Sequence, residues 1–277
     1  MLNRLLVRRL ARLGAIRREV PARGGTLRIF DVAGEGPLPT VVMVHGLGAR
    51  AAAYAPLVEA LRPHVQRMIL PDLPGHGEST WPEPVSVAVM REAMLEALPQ
   101  LAPDGPVLFG NSLGGYGALW VASRAPELVR GVMVTSPGGG PLPDPERDEV
   151  LSRFRPASHA DALDLVERSL SGFRGPTRHV AAWLARRNLS QPSVQQVLER
   201  LDRSDDLEPG DLARLNMPVE LWWGTAERAL STRQLDWFES HLPPNATVYR
   251  PDGWGHAAFR ERPGEVSDAL LEFLRRL

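Results

Sequence analysis

The chain has 277 residues, 43% of them hydrophobic, and a formal net charge of −1. That length supports one large domain with a sizeable core, and the near-neutral balance gives no footprint for nucleic acid or another strongly charged partner. Cysteine is absent, which excludes disulfides, thiolate metal ligands and a cysteine nucleophile, and all 32 basic residues are arginine, which excludes a Schiff-base lysine.

At the N-terminus, Leu2, Leu5, Leu6, Leu10 and Leu13 fall on one helical face, with Arg4, Arg8, Arg9 and Arg12 opposite. Residues 1–15 are expected to form an amphipathic helix against the protein's own body or a second copy, with a lipid interface as the alternative through residues 1–13. The arginines interrupt any apolar run, so no secretory signal is expected. No stretch reaches the ~18 apolar residues of a membrane-spanning helix, and the expected location is the cytoplasm.

Ile16 to Val20 and Thr26 to Val32 read as a hairpin turning at Gly24-Gly25. Thr40 to Val44 is an apolar strand running into His45-Gly46-Leu47-Gly48-Ala49, followed by a helix near Ala52 to Leu61. Val65 to Leu70 is the next strand, leading into Pro71-Asp72-Leu73-Pro74-Gly75-His76-Gly77, and a helix near Val85 to Leu98 follows. Pro106 to Phe109 reads as a buried strand, Tyr116 to Ala122 as a buried helix, and Gly131 to Thr135 as another strand. Short apolar strands alternating with helical patterns indicate a mostly parallel sheet of about eight strands, covered on both faces.

The alternation stops at Gly138-Gly139-Gly140-Pro141. About four helical patterns fill the next stretch, including Ala162, Leu163, Leu165, Val166 and Leu170 in one and Val180, Ala181, Trp183 and Leu184 in another. Strands resume at Val219 to Trp223 and Ala246 to Tyr249, with helices near Ser231 to His241 and Pro263 to Leu277. The expected organisation is an α/β core over 16–140 and 209–277 with an all-helical cap over 141–208.

Between the strand ending at Phe109 and the helix beginning near Tyr116 lies Gly110-Asn111-Ser112-Leu113-Gly114-Gly115. A serine at such a turn is lifted out of the sheet, with small residues where strand and helix pass closely. It also sits at a helix N-terminus, where free backbone N–H groups favour a developing anion. Ser112 is therefore the candidate nucleophile. A serine hydroxyl needs a base, and of the seven histidines only His159, His179, His241 and His256 follow it. His159 and His179 fall in the helical insertion, and His241 at a helix end.

Four motifs in this order, His45-Gly46-Leu47-Gly48, Asp72-Leu73-Pro74-Gly75-His76-Gly77, Gly110-Asn111-Ser112-Leu113-Gly114 and Gly255-His256, resemble the α/β-hydrolase family in its serine esterase and C–C hydrolase branch. The resemblance covers nearly the whole chain from about Val20. It implies an α/β-hydrolase fold and a Ser, acid, His order with His256 as base. The acid falls at Glu227 in Gly224-Thr225-Ala226-Glu227, where the family more often has aspartate. Asp252, four residues before His256, is the rival. The resemblance also implies oxyanion donors from the backbone of Leu47 and Leu113. Gly46, Asn111, Phe154 and Trp183 are expected to contact substrate, with Phe173 a further cap aromatic. His45, Asp72 and His76 are expected to brace loops.

No dinucleotide, phosphate-loop or metal-ligand spacing occurs, so no cofactor is expected. The expected reaction is hydrolysis of a small-molecule carboxylic ester through an acyl-enzyme. A C–C hydrolase of vinylogous diketones is the alternative, since Ser136-Pro137-Gly138-Gly139 resembles that subgroup. A hydrolase-fold binding protein without turnover is the third reading.

Overall fold

Apolar side chains alternate between the two faces along the central strands. The computed structural model describes residues 2–277 apart from residues 82, 83, 171, 173 and 174. Helix α1 (Leu2–Arg12) precedes the hairpin β1 (Ile16–Ala22) and β2 (Gly25–Ala33). Then follow β3 (Val41–Val44), α2 (Ala55–Leu61), β4 (Arg67–Pro71), α3 (Val87–Leu101), β5 (Val107–Asn111), α4 (Leu113–Arg124) and β6 (Gly131–Thr135). Helices α5 (Asp144–Arg153), α6 (His159–Ser169), α7 (Thr177–Leu189), α8 (Pro192–Arg200) and α9 (Pro209–Leu212) lie between β6 and β7 (Val219–Trp222). The chain ends with α10 (Thr232–His241), β8 (Ala246–Tyr249), α11 (Ala258–Glu261) and α12 (Pro263–Arg275).

The eight strands form one sheet in the order β1-β2-β4-β3-β5-β6-β7-β8. β1 and β2 are antiparallel, as are β2 and β4, and the remaining neighbours are parallel. Side-chain alternation splits each central strand between two cores. Val42, Val44, Leu108, Val132 and Val134 pack with α3 and α4, while Val41, Met43, Val107, Phe109 and Met133 pack with α2 and α12 on the other face. Burial on both sides is what makes these strands near-continuously apolar.

Three local readings change. The helix expected near Ala52 to Leu61 is a 3₁₀ turn, Ala51–Tyr54, followed by α2. Pro56 lacks an N–H to donate, so it fits the first turn of a new helix and not the interior of one longer helix. The short helices α9 and α11 are additions, each only four residues long. Leu10 of α1 is fully buried against the body and Leu6, Val7 and Leu13 pack beside it, but Leu5 is 50% exposed and leaves the apolar face. Arg9 reaches Glu59 on α2.

The loop after β3 is laced to the loop after β4 through side chains. His45 donates Nδ1–H to the Gly46 carbonyl at 2.8 Å and accepts the Leu73 N–H on Nε2 at 3.0 Å. His76 donates Nδ1–H to the Pro74 carbonyl at 3.1 Å and accepts the Gly48 N–H on Nε2 at 3.0 Å. Asp72 accepts the N–H groups of Ala51 and Glu78 at 2.8 and 2.9 Å. Each imidazole must be neutral to both give and take. Burial pushes His45 down to about 4 and His76 down to about 3.

Two predictions follow from this packing. Leu10→Ala should lower unfolding stability by about 2–5 kcal/mol, whereas Leu5→Ala should change it by less than about 0.5 kcal/mol; denaturant titration reads both. The unfolded chain protonates both histidines below about pH 6.5, while the folded one resists to the values above. Unfolding therefore takes up protons, and stability should fall as pH drops from 6.5 toward 4, by at most about 2.7 kcal/mol per pH unit for two protons. Burial raises Asp72, which acts in the opposite sense at the acid end of that window. His76→Gln, which can still accept the Gly48 N–H, should flatten the pH dependence; an unchanged slope would refute this account.

Candidate active site

β5 delivers the chain to Ser112, which lies at φ 57° and ψ −121° before α4 begins. This left-handed geometry costs a non-glycine residue about 1–3 kcal/mol. The fold holds it there: the Ser112 N–H donates to the Thr135 carbonyl at 3.1 Å, and the Ser112 carbonyl accepts the N–H groups of Tyr116 and Gly138. The crossing is too tight for side chains. A Cβ on Gly114 would sit 2.0 Å from the Val44 carbonyl oxygen, and one on Gly110 would sit 2.3 Å from that of Gly114. Ser112 occupies the N-cap position of α4 yet its hydroxyl makes no capping bond.

His256 sits in the loop after β8. Its Nδ1–H donates to Glu227 Oε2 at 2.8 Å. The other Glu227 oxygen accepts the N–H groups of Ala229 and Leu230 at 2.7 and 3.0 Å, and the nearby Ser136 hydroxyl also favours the charged form of the carboxylate. Burial pushes the Glu227 carboxyl up. The His256 charge and these hydrogen bonds outweigh burial and hold it below its ordinary value. An ionised carboxylate only accepts, so Nδ1 carries a proton, and in the neutral ring Nε2 presents a lone pair. The loops carrying Glu227 and His256 are pinned to each other: the Ala226 N–H donates to the Trp254 carbonyl at 3.0 Å, and a Cβ on Gly224 would lie 2.0 Å from that oxygen.

Asp252 is elsewhere. It is exposed and accepts a hydrogen bond from the Thr225 hydroxyl at 2.9 Å, a contact within the loop pair and away from the imidazole.

Two cavities meet over Ser112 and share Leu47 and Phe154. One is apolar: its walls include Leu113, Leu142, Val150, Val197 and Leu198. The other holds His256, Gly46 and Asn111 together with Leu165, Leu184 and Leu189. Their roof is the helical insertion between β6 and β7, and the Phe154 ring lies 6.3 Å from the His256 ring. Leu113 is the first residue of α4, so its N–H belongs to the unpaired set at a helix start.

The predicted substrate contacts divide. Gly46 and Phe154 line the cavity. Asn111 borders it, but its amide donates to Thr135 and, at 2.8 Å, to the His256 carbonyl, so it positions the His256 loop. Trp183 does not reach either cavity. It is 55% exposed, and the Arg187 guanidinium lies 5.6 Å above its ring. The inner face of α7 is taken instead by Ala181, Leu184 and Ala185. Phe173 lies outside the described residues. Ser136, at φ 41° and buried, is the contributor the sequence reading missed; its position directly after a strand and before Pro137 was the available signal.

Among the described residues no group of three or more His, Asp or Glu is arranged to hold a metal ion, and no helix is long and apolar enough to cross a membrane. The chain is 31% identical over 263 residues to a pimeloyl-[acyl-carrier protein] methyl ester esterase of Xanthomonas oryzae pv. oryzae, covering 88% of this chain and 98% of that one. A bacterial membrane phospholipase A superposes with a TM-score of 0.83 at 22% identity, covering 100% of this chain and 92% of the other. A 2-hydroxy-6-oxo-6-phenylhexa-2,4-dienoate hydrolase of Rhodococcus superposes with a TM-score of 0.78 at 23% identity, covering 94% and 99%. The sequence profile of the alpha/beta hydrolase fold matches residues 39–263, and with the eight-stranded sheet and the sharp turn at Ser112 it places this chain in the α/β-hydrolase family.

Proposed function

We propose that the protein is a serine esterase that cleaves small carboxylic esters through an acyl-enzyme. The observation that carries this reading is the buried Glu227–His256 hydrogen bond at 2.8 Å, facing a cavity that also holds Ser112. The naming of the Xanthomonas relative as a methyl ester esterase supports the same reaction class.

In this reading the lone pair on His256 Nε2 takes the Ser112 proton as Oγ attacks the ester carbonyl. Glu227 fixes the tautomer and stabilises the imidazolium. The carbonyl oxygen gains negative charge, which the N–H groups of Leu113 and Leu47 receive. His256 then returns the proton to the departing alkoxide, and water repeats the sequence to free the acid. Asn111 and Ser136 act through their neighbours, the first on the His256 loop and the second on the Glu227 carboxylate. The helices of residues 141–208 act as the cap that keeps water from the acyl group and selects the substrate.

Short-chain p-nitrophenyl esters provide the test. Ser112→Ala should reduce kcat by about 10⁴-fold or more, and Glu227→Gln by about 10³–10⁴-fold, with KM little changed. Asp252→Asn should behave as wild type; loss of activity there with Glu227→Gln retained would reverse the assignment of the acid. Ser136→Ala should lower kcat more mildly than Glu227→Gln. Ester turnover with no cleavage of a vinylogous diketone removes the C–C hydrolase alternative, and a fluorophosphonate that fails to label Ser112 would overturn the enzymatic reading.

A further inference from the structure

The cavity on the His256 side does not end at the catalytic residues. Through Ala49, Leu184, Asn188 and Arg260 it continues into an outer opening between α1 and α7. Arg4, Arg50, Arg187 and Arg260 line that opening, and none of its lining residues is Asp or Glu. Among the described residues these four guanidinium groups have no carboxylate within ion-pair distance. Nearby arginines do: Arg9 of α1 pairs with Glu59 and Arg178 of α7 with Glu167. Asn3, Asn188 and Gln191 add neutral hydrogen-bonding groups.

Four like charges around one opening repel one another unless an anion joins them. Arginine is the side chain best matched to such a guest, because its planar fork donates two parallel hydrogen bonds to a carboxylate or phosphate. The chemistry also says which part of an ester lies on this side. His256 must reach the leaving oxygen to protonate it, and His256 lines this cavity and not the apolar one. The alcohol portion therefore extends toward the arginines, while the acyl portion lies among Leu142, Val150, Val197 and Leu198.

Building on the serine-esterase reading, we propose that Arg4, Arg50, Arg187 and Arg260 form an anion site, selecting esters of an apolar acid with an alcohol bearing a phosphate or carboxylate. The anionic group is not attacked. It anchors the alcohol while the ester bond is hydrolysed to acid and alcohol at Ser112.

The test compares hexanoate esters of three soluble alcohols of similar size: one carrying a phosphate monoester, one neutral and one carrying a quaternary ammonium. The expected order of kcat/KM is anionic, neutral, cationic, with the anionic ester about tenfold or more above the neutral one, mostly through KM. In Arg4→Gln/Arg187→Gln the anionic-to-neutral ratio should fall toward one. In wild type the ratio should also fall as salt is raised to about 1 M, where screening is short-ranged. Arg187→Glu, a single change at an exposed position, should shift preference toward the cationic ester and stands in if the double variant fails to fold. The same phosphate is also offered on a lysophospholipid in micelles. An arginine-dependent preference for the soluble ester identifies a free anionic alcohol, and one confined to micelles identifies a lipid headgroup. Equal turnover of the anionic and neutral forms in both settings, or a preference that the variants leave intact, overturns the anion site. Neutral-ester turnover that survives Ser112→Ala would instead overturn the serine-esterase reading, so the two failures are separately readable.

Discussion

The left-handed turn at Ser112 is the constraint on which this end of the sheet is built. It forces β5 and α4 to cross with no space for a side chain at Gly110 or Gly114, and it fixes where every other group must arrive. The strain is local, but its restraint is spread: β6 supplies the acceptor for the Ser112 N–H, and the loop after β6 donates to the Ser112 carbonyl. The same stretch then brings Ser136 to Glu227. A conformation unfavourable for an isolated serine is thus held by the parallel pairing of β5 with its neighbour.

Burial disfavours charge at two places, with opposite outcomes. His45 and His76 are stripped of water and remain neutral, each bonded as both donor and acceptor, which is how they join two loops without introducing charge. Glu227 is equally buried but surrounded by donors, and remains ionised. The difference lies in what each group is offered. The histidines meet backbone groups that satisfy a neutral ring, whereas the glutamate meets two backbone N–H groups, a hydroxyl and an imidazole N–H that all favour its charge.

Much of this was legible in the sequence because it is written in short contiguous signals. The strand, Gly-x-Ser-x-Gly, helix succession specifies its own turn, and the unbroken apolar runs of β3 and β5 specify two-sided burial. Trp183 shows where such reading fails. In α7 the apolar residues Val180, Ala181, Trp183 and Leu184 form one stripe of about 160° at about 100° per residue, and periodicity alone does not say that the helix is rotated toward the Ala181 edge of that stripe, leaving Val180 and Trp183 outside. The small Ala181 and Ala185 faced the interior, and the large ring was left outside. α9 and α11 are single turns with no period to detect. The arginines at positions 4, 50, 187 and 260 form no run in the sequence; only the fold brings them to one opening.

The bond from Asn111 to the His256 carbonyl joins the last residue of a central strand to a loop near the far end of the chain. It divides the molecule into parts with different freedom to diversify. Residues added or lost between β8 and His256 would pull the imidazole off its anchor, so the length of that connection is fixed by the architecture. The helices over the cavities are bonded to the surrounding loops at particular points, such as the Ala257 N–H to the Ser169 carbonyl at 3.1 Å, and new sequence inserted between those points would reshape the cavities while leaving Ser112, Glu227 and His256 in register. In the serine-esterase reading, the fold in this way separates the part that performs the reaction from the part that can be rewritten to choose its substrate.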